Sequence, residues 1–217
     1  MTAMILAAGR GERLRPVTDR IPKALVEVAG EKLIDRHLRM LAAAGVETVV
    51  INLGWLGEQI VEHVGSGSRF KLRVVYSPEY DNVLETGGGI RRALPLLGAG
   101  PFWVVNADIL TDLVLPGEAL HDAWLGELFL VPTPAHRPTG DFGAEDGRVV
   151  NVPEPAMTFS GVARYRRSFF AHTRQGRFSI APMLRQAADD GVLGARLHTG
   201  RWEDVGTPER LARLNAR

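Results

Sequence analysis

Short unbroken apolar runs alternate along the chain with stretches whose apolar residues recur every three or four positions. The runs AMILA (3–7), ETVVINL (47–53), LRVVY (72–76), FWVVNA (102–107) and ELFLVP (127–132) have the length and composition of strands buried on both faces. Between them, Leu33, Ile34, His37, Leu38 and Leu41 share one side of a helix predicted over 32–44. Leu56, Ile60, Val61 and Val64 mark a second helix, and 88–97 a third. Such alternation predicts an α/β fold in three layers, with a mostly parallel central sheet and right-handed crossovers.

The pattern changes after about residue 133. TPAHRPTGDFGAEDGRVVNVPEPAMTFSGVARY is rich in glycine, proline and turn signals, with short strands expected near 148–152 and 159–165. This segment (133–165) is expected to form a small antiparallel flap within a single domain spanning 1–217. Ser179 is placed to cap a helix over roughly 180–190, with Pro182 in its tolerated first turn. Thr207-Pro208 opens a last helix, with threonine as N-cap and proline at the first helical position.

Composition narrows the function classes. A net charge of +1 gives no bulk electrostatic reason to expect nucleic acid or an anionic membrane as partner, so any important cation acts locally. No cysteine is present, which excludes disulfides, thiolate catalysis and cysteine-based zinc sites. The opening MTAMILAAGRGERLR places its charges after a short apolar run, the reverse of a secretory signal, and a cytoplasmic location is expected.

Ligands of open α/β sheets bind beyond the carboxyl ends of the strands. Four segments fall at such ends: 8–25, 84–90, 106–108 and 202–206. The first, within LAAGRGERLRPVTDRIPKAL (6–25), joins Gly9 and Gly11 to Arg10, Arg13, Arg15, Arg20 and Lys23. Glycines let backbone N–H groups approach a phosphate closely. It is not a dinucleotide fingerprint, because Leu14 stands where the third glycine belongs, and no Gly-Lys-Ser/Thr of a P-loop follows. Taken alone, a Gly-x-Gly after a strand reads equally as an ordinary turn. Pro16 and Pro22 stiffen the chain that carries Arg13, Arg15 and Lys23, which favours held charges over solvated ones; Arg10 and Arg20 read as solvated.

Two aspartates stand out. WVVNADI ends an apolar strand on Asp108, and WEDVGTP sets Asp204 just before a helix. A carboxylate at a buried strand end needs neutralising, and Mg²⁺ commonly takes one or two carboxylates together with substrate phosphates. Asp108 reads also as a turn or cap residue, and Asp204 as an anchor for a neighbouring arginine. Asp112 and Glu203 read as surface residues.

The long stretch at 6–25 resembles the signature of the sugar-1-phosphate nucleotidyltransferases, and the resemblance extends over essentially the whole chain. It implies a Rossmann-like three-layer fold and transfer of a nucleotidyl group from an NTP to a sugar 1-phosphate, releasing pyrophosphate. By position, Ala7, Ala8 and Gly9 would lie against the nucleobase. Gly11, Glu12 and Arg13 would hold the triphosphate, and Lys23 would reach the phosphates. Asp108 and Asp204 match the two aspartates that bind the family's catalytic Mg²⁺. With Arg13, Lys23 and Asp108 as catalytic groups, charge neutralisation and positioning suffice, and no nucleophile-elbow motif suggests a covalent intermediate.

LETGGGIRRAL (84–94) matches the family segment that helps recognise base and ribose, implicating Glu85, Thr86, Gly87 and Gly88, although many relatives have glycine where Glu85 stands. For the sugar, Asp141, Asn151, Glu154, Ser160 and Gly161 are candidates because the flap would close over it. Many relatives carry Glu-Lys-Pro where this chain reads Pro-Glu-Pro-Ala at 153–156, so the family lysine is missing. Trp55 and Trp202 read as packing residues, and His37 and His63 as structural. The forms ETGGGI, INLGWLGEQI (51–60), GDF (140–142) and TFSGV (158–162) are most similar to the branch that joins UTP to N-acetylmuramate 1-phosphate in cell-wall recycling. GTP-dependent mannose- or heptose-1-phosphate guanylyltransferases are the competing branch. A non-catalytic nucleotide-sugar sensor is a third alternative, disfavoured because Gly11, Arg13, Lys23 and both aspartates are kept. A monomer or a dimer is compatible with the sequence.

Overall fold

The fold is described from a computed structural model covering residues 1–80, 83–152 and 154–216. Nine strands form the main sheet: β1 (Thr2–Leu6), β4 (Thr48–Leu53), β5 (Arg73–Pro78), β6 (Phe102–Asn106), β8 (Gly126–Pro132), β9 (Gly143–Glu145), β10 (Arg148–Val150), β11 (Met157–Tyr165) and β12 (Leu193–Leu197). Two small antiparallel pairs complete the strands: β2 (Glu27–Val28) with β3 (Glu31–Lys32), and β7 (Ile109–Thr111) with β13 (Trp202–Asp204). The helices are α1 (Leu33–Ala43), α2 (Gly57–Val64), α3 (Glu85–Ala93), α4 (Ala181–Asp189) and α5 (Pro208–Asn215).

Spatial order in the main sheet is β5-β4-β1-β6-β11-β8-β12-β10-β9. The first four strands run parallel, as the buried apolar runs predict; β11 is antiparallel to both β6 and β8, while β12 returns parallel to β8. All six residues of β4 are buried, which explains why no alternation is visible in its sequence. The period of two shows instead in which core each residue enters. Ala3, Ile5, Val49, Ile51, Trp103 and Val105 pack with Ile34, Leu38 and Leu41 of α1 and Ile60 and Val64 of α2. Met4, Val50, Phe102 and Val104 face the other way, onto Ile90 and Ala93 of α3 and Leu184, Ala187 and Ala188 of α4.

The predicted cap of α5 forms, whereas the N-cap position of α4 falls to Ile180 and Ser179 bonds from one residue earlier. Thr207 accepts the N–H of Arg210 at the head of α5 (3.4 Å), and Ser179 Oγ accepts the N–H of Ala181 at the head of α4 (3.2 Å). The short strands β2, β3, β7, β12 and β13 are additions that the apolar pattern did not announce. The flap is less separate than expected. β9 and β10 form a hairpin on the main sheet's edge through β12, and β11 lies inside that sheet, between β6 and β8.

Register fixes the site. Leu6, the last residue of β1, lies opposite Asn52 on one side and Asn106 on the other, so three strands end level. A third apolar cluster gathers Leu14 from the glycine loop, Leu110 from β7, Val205 after β13 and Leu214 from α5, with Val26, Val28 and Leu33. It holds the loop after β1 and the loop after β13 to one base, so two stretches nearly two hundred residues apart border the same opening.

Candidate active site

Beyond the level ends of β1, β4 and β6 lies a cavity of about 500 Å³. Residues 6–13 form one wall, Asn106–Asp108 the floor, and Lys23, Glu79, Glu85, Thr86 and Gly206 the margins. Three of the four strand-end segments singled out in the sequence meet here, and Gly206 brings in the fourth.

The glycine loop is held from beneath. Thr18, 1% exposed, donates its hydroxyl to the carbonyl of Gly11 (2.8 Å), and its methyl lies against the place a Gly11 side chain would occupy. Gly11 has φ +64°, a backbone region that glycine enters without cost. Arg13 Nη2 comes within 3.8 Å of the Cβ position at Gly206, so Arg13 spans from the loop toward the segment after β13. Arg10 is exposed, as expected, but not free: its guanidinium lies over the Trp55 ring at 4.4 Å, and Trp55 Nε1 donates to the carbonyl of Thr18 (2.8 Å). Trp55 is thereby a packing residue that also steadies a cation at the cavity.

Lys23 and Asp108, eighty-five positions apart, form an ion pair of 2.5 Å between Nζ and Oδ2. Their side chains are 14% and 34% exposed, so the pair faces the cavity without being fully solvated. Asp204 stands on the neighbouring segment, where β13 pairs with β7 and the N–H of Val205 donates to the carbonyl of Asp108 (2.8 Å). Both Asp204 oxygens accept from Arg210 Nη1 (2.5 Å each), and His136 Nε2 lies 3.4 Å from Oδ1. The arginine anchor is therefore one of Asp204's roles in this state. Among the described residues no cluster of three or more His, Asp or Glu side chains could cage a metal by itself. Two carboxylates on adjacent segments suit a hard cation that completes its shell with phosphates and water.

His37 lies under the strand end that carries Asp108. It is 2% exposed, hydrogen-bonds the backbone of Ala107, and leaves Nε2 without a partner. Burial pushes its pKa down to about 4, against smaller upward pulls from the Ala107 hydrogen bond and from Asp108. The ring is neutral at physiological pH and serves as a prop. His63 pairs with Asp35 (2.8 Å), away from the cavity walls.

At the opposite end of the cavity a buried polar relay appears that the sequence reasoning missed. Asn52 Oδ1 accepts the N–H of Ala7 (2.7 Å), Asn52 Nδ2 donates to Glu79 Oε1 (2.9 Å), and Glu79 Oε2 accepts the N–H of Leu84 (3.0 Å). Asn52 and Glu79 are each 3% exposed. Their signal was present: a polar residue stands at the end of each apolar strand, Asn52 one residue before the end of β4 and Glu79 directly after β5, just as Asp108 follows β6.

The triple glycine of α3 has a different neighbour from the expected base. A Cβ on Gly87 would stand 2.4 Å from the Phe178 ring, and one on Gly88 2.2 Å from the carbonyl oxygen of Gly176. The close approach is that of the 176–178 loop, and Glu85 and Thr86, rather than Gly87 and Gly88, line the cavity. Glu85 itself adopts φ +59° and pairs with Arg177 (2.7 Å).

None of the sugar candidates lines the cavity itself, and they divide by what they hold. Asp141 Oδ2 accepts the N–H of Phe159 (2.9 Å) and pairs with Arg137 (3.2 Å), which ties the flap loop to the bulge in β11. Gly161, in that bulge, packs directly on the side chain of Asn106. Ser160 is fully buried and gives its carbonyl to Trp202 Nε1 (2.8 Å). Asn151 is turned to α4, bonding the carbonyl of Arg185 and the carboxylate of Asp189 (2.8 Å each), and is not a cavity residue. Glu154 is exposed, and Pro153, which opens the Pro-Glu-Pro-Ala segment, lies outside the described residues. Asp112 and Glu203 pair with His198 (3.0 Å) and Arg213 (2.8 Å), in keeping with surface roles.

Among the described residues no helix is long and apolar enough to cross a membrane. The fold matches that of a crystal structure described as a putative glucose-1-phosphate thymidylyltransferase from Bacillus anthracis. Its TM-score is 0.84 at 20% identity, covering 100% of this chain and 94% of that one. In sequence, the chain is 45% identical to a protein of Neisseria meningitidis named N-acetylmuramate alpha-1-phosphate uridylyltransferase, over 100% of this chain and 97% of the relative. A protein of the same name from Caulobacter vibrioides is 38% identical over 99% of this chain and 96% of its own length. Residues 2–142, which include the whole glycine loop, Lys23 and Asp108, match the nucleotidyl transferase model, and the chain belongs to the nucleotidyl transferase family.

Proposed function

We propose that the protein is a uridylyltransferase that joins UTP to N-acetylmuramate 1-phosphate, releasing pyrophosphate and forming UDP-N-acetylmuramate. The observation that carries this substrate choice is the end-to-end match, at 45% and 38% identity, to two relatives that both bear that activity in their names. The cavity is chemically consistent with it: a glycine loop and cations for a triphosphate, a buried polar relay for a base, and carboxylates beside the cations.

A non-bridging oxygen of the sugar phosphate attacks the α-phosphorus in line with the leaving pyrophosphate; one P–O bond forms as another breaks. Arg13 and Lys23 balance the charge gathering on the phosphates, and the 2.5 Å tether to Asp108 keeps Lys23 aimed at them. Asp108, with Asp204 once Arg210 yields it, would hold Mg²⁺. When bound, that ion supplies charge neutralisation at the α-phosphate. Ala7, Ala8, Gly9 and the Asn52–Glu79 relay receive the base, with Glu85 and Thr86 at the ribose side. The whole chain acts as one catalytic unit, and its 133–165 segment faces the sugar through Asp141 and Gly161.

A pyrophosphate-release matrix tests this reading. UTP, GTP, CTP and dTTP are each paired with the 1-phosphates of N-acetylmuramate, N-acetylglucosamine, mannose and heptose. UTP with N-acetylmuramate 1-phosphate is expected to give the highest kcat/KM. A GTP-with-mannose or GTP-with-heptose maximum would replace the substrate pair while leaving the reaction type standing. No release with any pair would favour the sensor alternative.

A further inference from the structure

N-acetylmuramate 1-phosphate differs from N-acetylglucosamine 1-phosphate by a lactyl ether ending in a carboxylate, one more negative charge at neutral pH. Selecting it requires a cation that the phosphates do not occupy. Around the cavity, Arg13 and Lys23 are committed to the triphosphate end, Arg10 is stacked on Trp55, and Arg210 grips both oxygens of Asp204. Arg177 is paired with Glu85 at the nucleotide margin, and the flap loop carries a further arginine, Arg137, which borders the cavity without lining it. Arg137 sits behind a turn closed by its own N–H to the carbonyl of Pro134 (2.9 Å), and Pro138 follows, so the loop holds its shape at little entropic cost.

That loop borders the site at two points. His136, one residue before, reaches Asp204, which adjoins the cavity residue Gly206. Asp141, four residues after, is bonded to the β11 bulge that packs on the cavity residue Asn106. Among the described residues Arg137 has one anionic partner, Asp141 Oδ2 at 3.2 Å, and its side chain is 38% exposed, so donors beyond that pair are open to a ligand.

We infer that Arg137 is the specificity-determining residue for the acidic sugar, binding the lactyl carboxylate while Asp141 holds the guanidinium in place. The inference rests on the substrate proposed above. A guanidinium presents paired donors that match a carboxylate, and such charge-assisted bonds are among the stronger polar contacts.

The test compares wild type, Arg137→Gln and Arg137→Lys with UTP and each of the two sugar phosphates. KM and kcat are measured for each, with competitive Ki against N-acetylmuramate 1-phosphate where turnover with N-acetylglucosamine 1-phosphate is undetectable. Arg137→Gln is expected to raise KM for N-acetylmuramate 1-phosphate on the order of 10- to 100-fold, with kcat within about 3-fold, and to leave the N-acetylglucosamine constant unchanged. Arg137→Lys should recover part of the loss. A merely loosened flap would weaken both sugars alike, and that outcome overturns the inference. So does an unchanged preference in Arg137→Gln. If wild type does not turn over N-acetylmuramate 1-phosphate, the substrate proposal itself fails and takes this inference with it. The two failures are therefore told apart by the wild-type data alone.

Discussion

Lys23 Nζ and Asp108 Oδ2 stand 2.5 Å apart, joining the end of the glycine-loop segment to the end of β6. The pair places a cation and an anion side by side where a triphosphate and a metal would meet. Asp108→Asn keeps the shape and removes the charge, and Lys23→Met keeps the stem and removes the ammonium. Each is expected to lower kcat/KM by roughly 10²–10³ or more, the usual cost of one transition-state contact. Both sites are partly solvent-facing, so the melting temperature should move by only a few degrees. Near-normal turnover of Asp108→Asn at saturating Mg²⁺ would remove Asp108 from the proposed metal site.

Asp204 is held by Arg210, so a cation must compete with a guanidinium for it. In Arg210→Gln that competition ends. Mg²⁺ alone should then raise the melting temperature more than it does in wild type, because ligand stabilisation follows affinity for the folded state. An equal or smaller Mg²⁺ shift in the variant would argue that Asp204 serves only as an anchor.

Asn52 satisfies the Ala7 N–H and one oxygen of the buried Glu79. Asn52→Leu leaves both without that partner, and the cost should be about 1–3 kcal/mol of stability. KM for the nucleotide should rise more than KM for the sugar phosphate, since Ala7 lines the cavity beside the glycine loop, where the base is proposed to lie. Denaturant unfolding and two-substrate kinetics check the two parts separately.

His37 makes stability depend on pH. Its folded pKa of about 4 lies below the unfolded value near 6.5, so the unfolded chain takes up the proton first. The neutral ring's contribution is fully present above about pH 6.5 and is lost as pH falls toward 4, by about 3 kcal/mol at most. His37→Gln should be less stable at pH 7 yet flatter between pH 6.5 and 4. An unchanged slope in that window, followed by urea unfolding, would assign the acid sensitivity to other groups.

Glu85 has φ +59°, a conformation that costs a side-chain-bearing residue about 1 kcal/mol. Its ion pair with Arg177 is largely exposed and offsets little of this. Glu85→Gly should therefore be neutral or slightly stabilising in thermal melts. A clear loss of stability would show that the Arg177 contact outweighs the backbone strain.

Much of the fold was legible because buried parallel strands and amphipathic helices impose their periods directly on the chain. The five apolar runs became β1, β4, β5, β6 and β8, and the helix faces built on Leu38 and Ile60 were those that packed. The glycine loop, Lys23 and Asp108, which line the cavity, stood out as glycine and charge at strand ends, but their residues alone read equally as turns or caps, and only the family resemblance implied a role for them. The short strands β7, β12 and β13 were not legible, since three to five residues carry no reliable period and their pairing partners are remote in sequence.

Tertiary structure alone decided which partners meet. Whether Asp204 faces a metal or an arginine depends on how α5 docks beneath it, and Arg210 lies on α5. Whether three glycines admit a base or a loop depends on where Phe178 comes to rest, ninety-one positions after Gly87. The buried Asn52–Glu79 relay depends on β1, β4 and β5 lying level, a matter of strand register. Local sequence sets the period of each element and the chemistry at its ends. Contacts between distant segments exist only after the core has fixed their register, because the apolar pattern that drives burial does not distinguish one polar strand end from another.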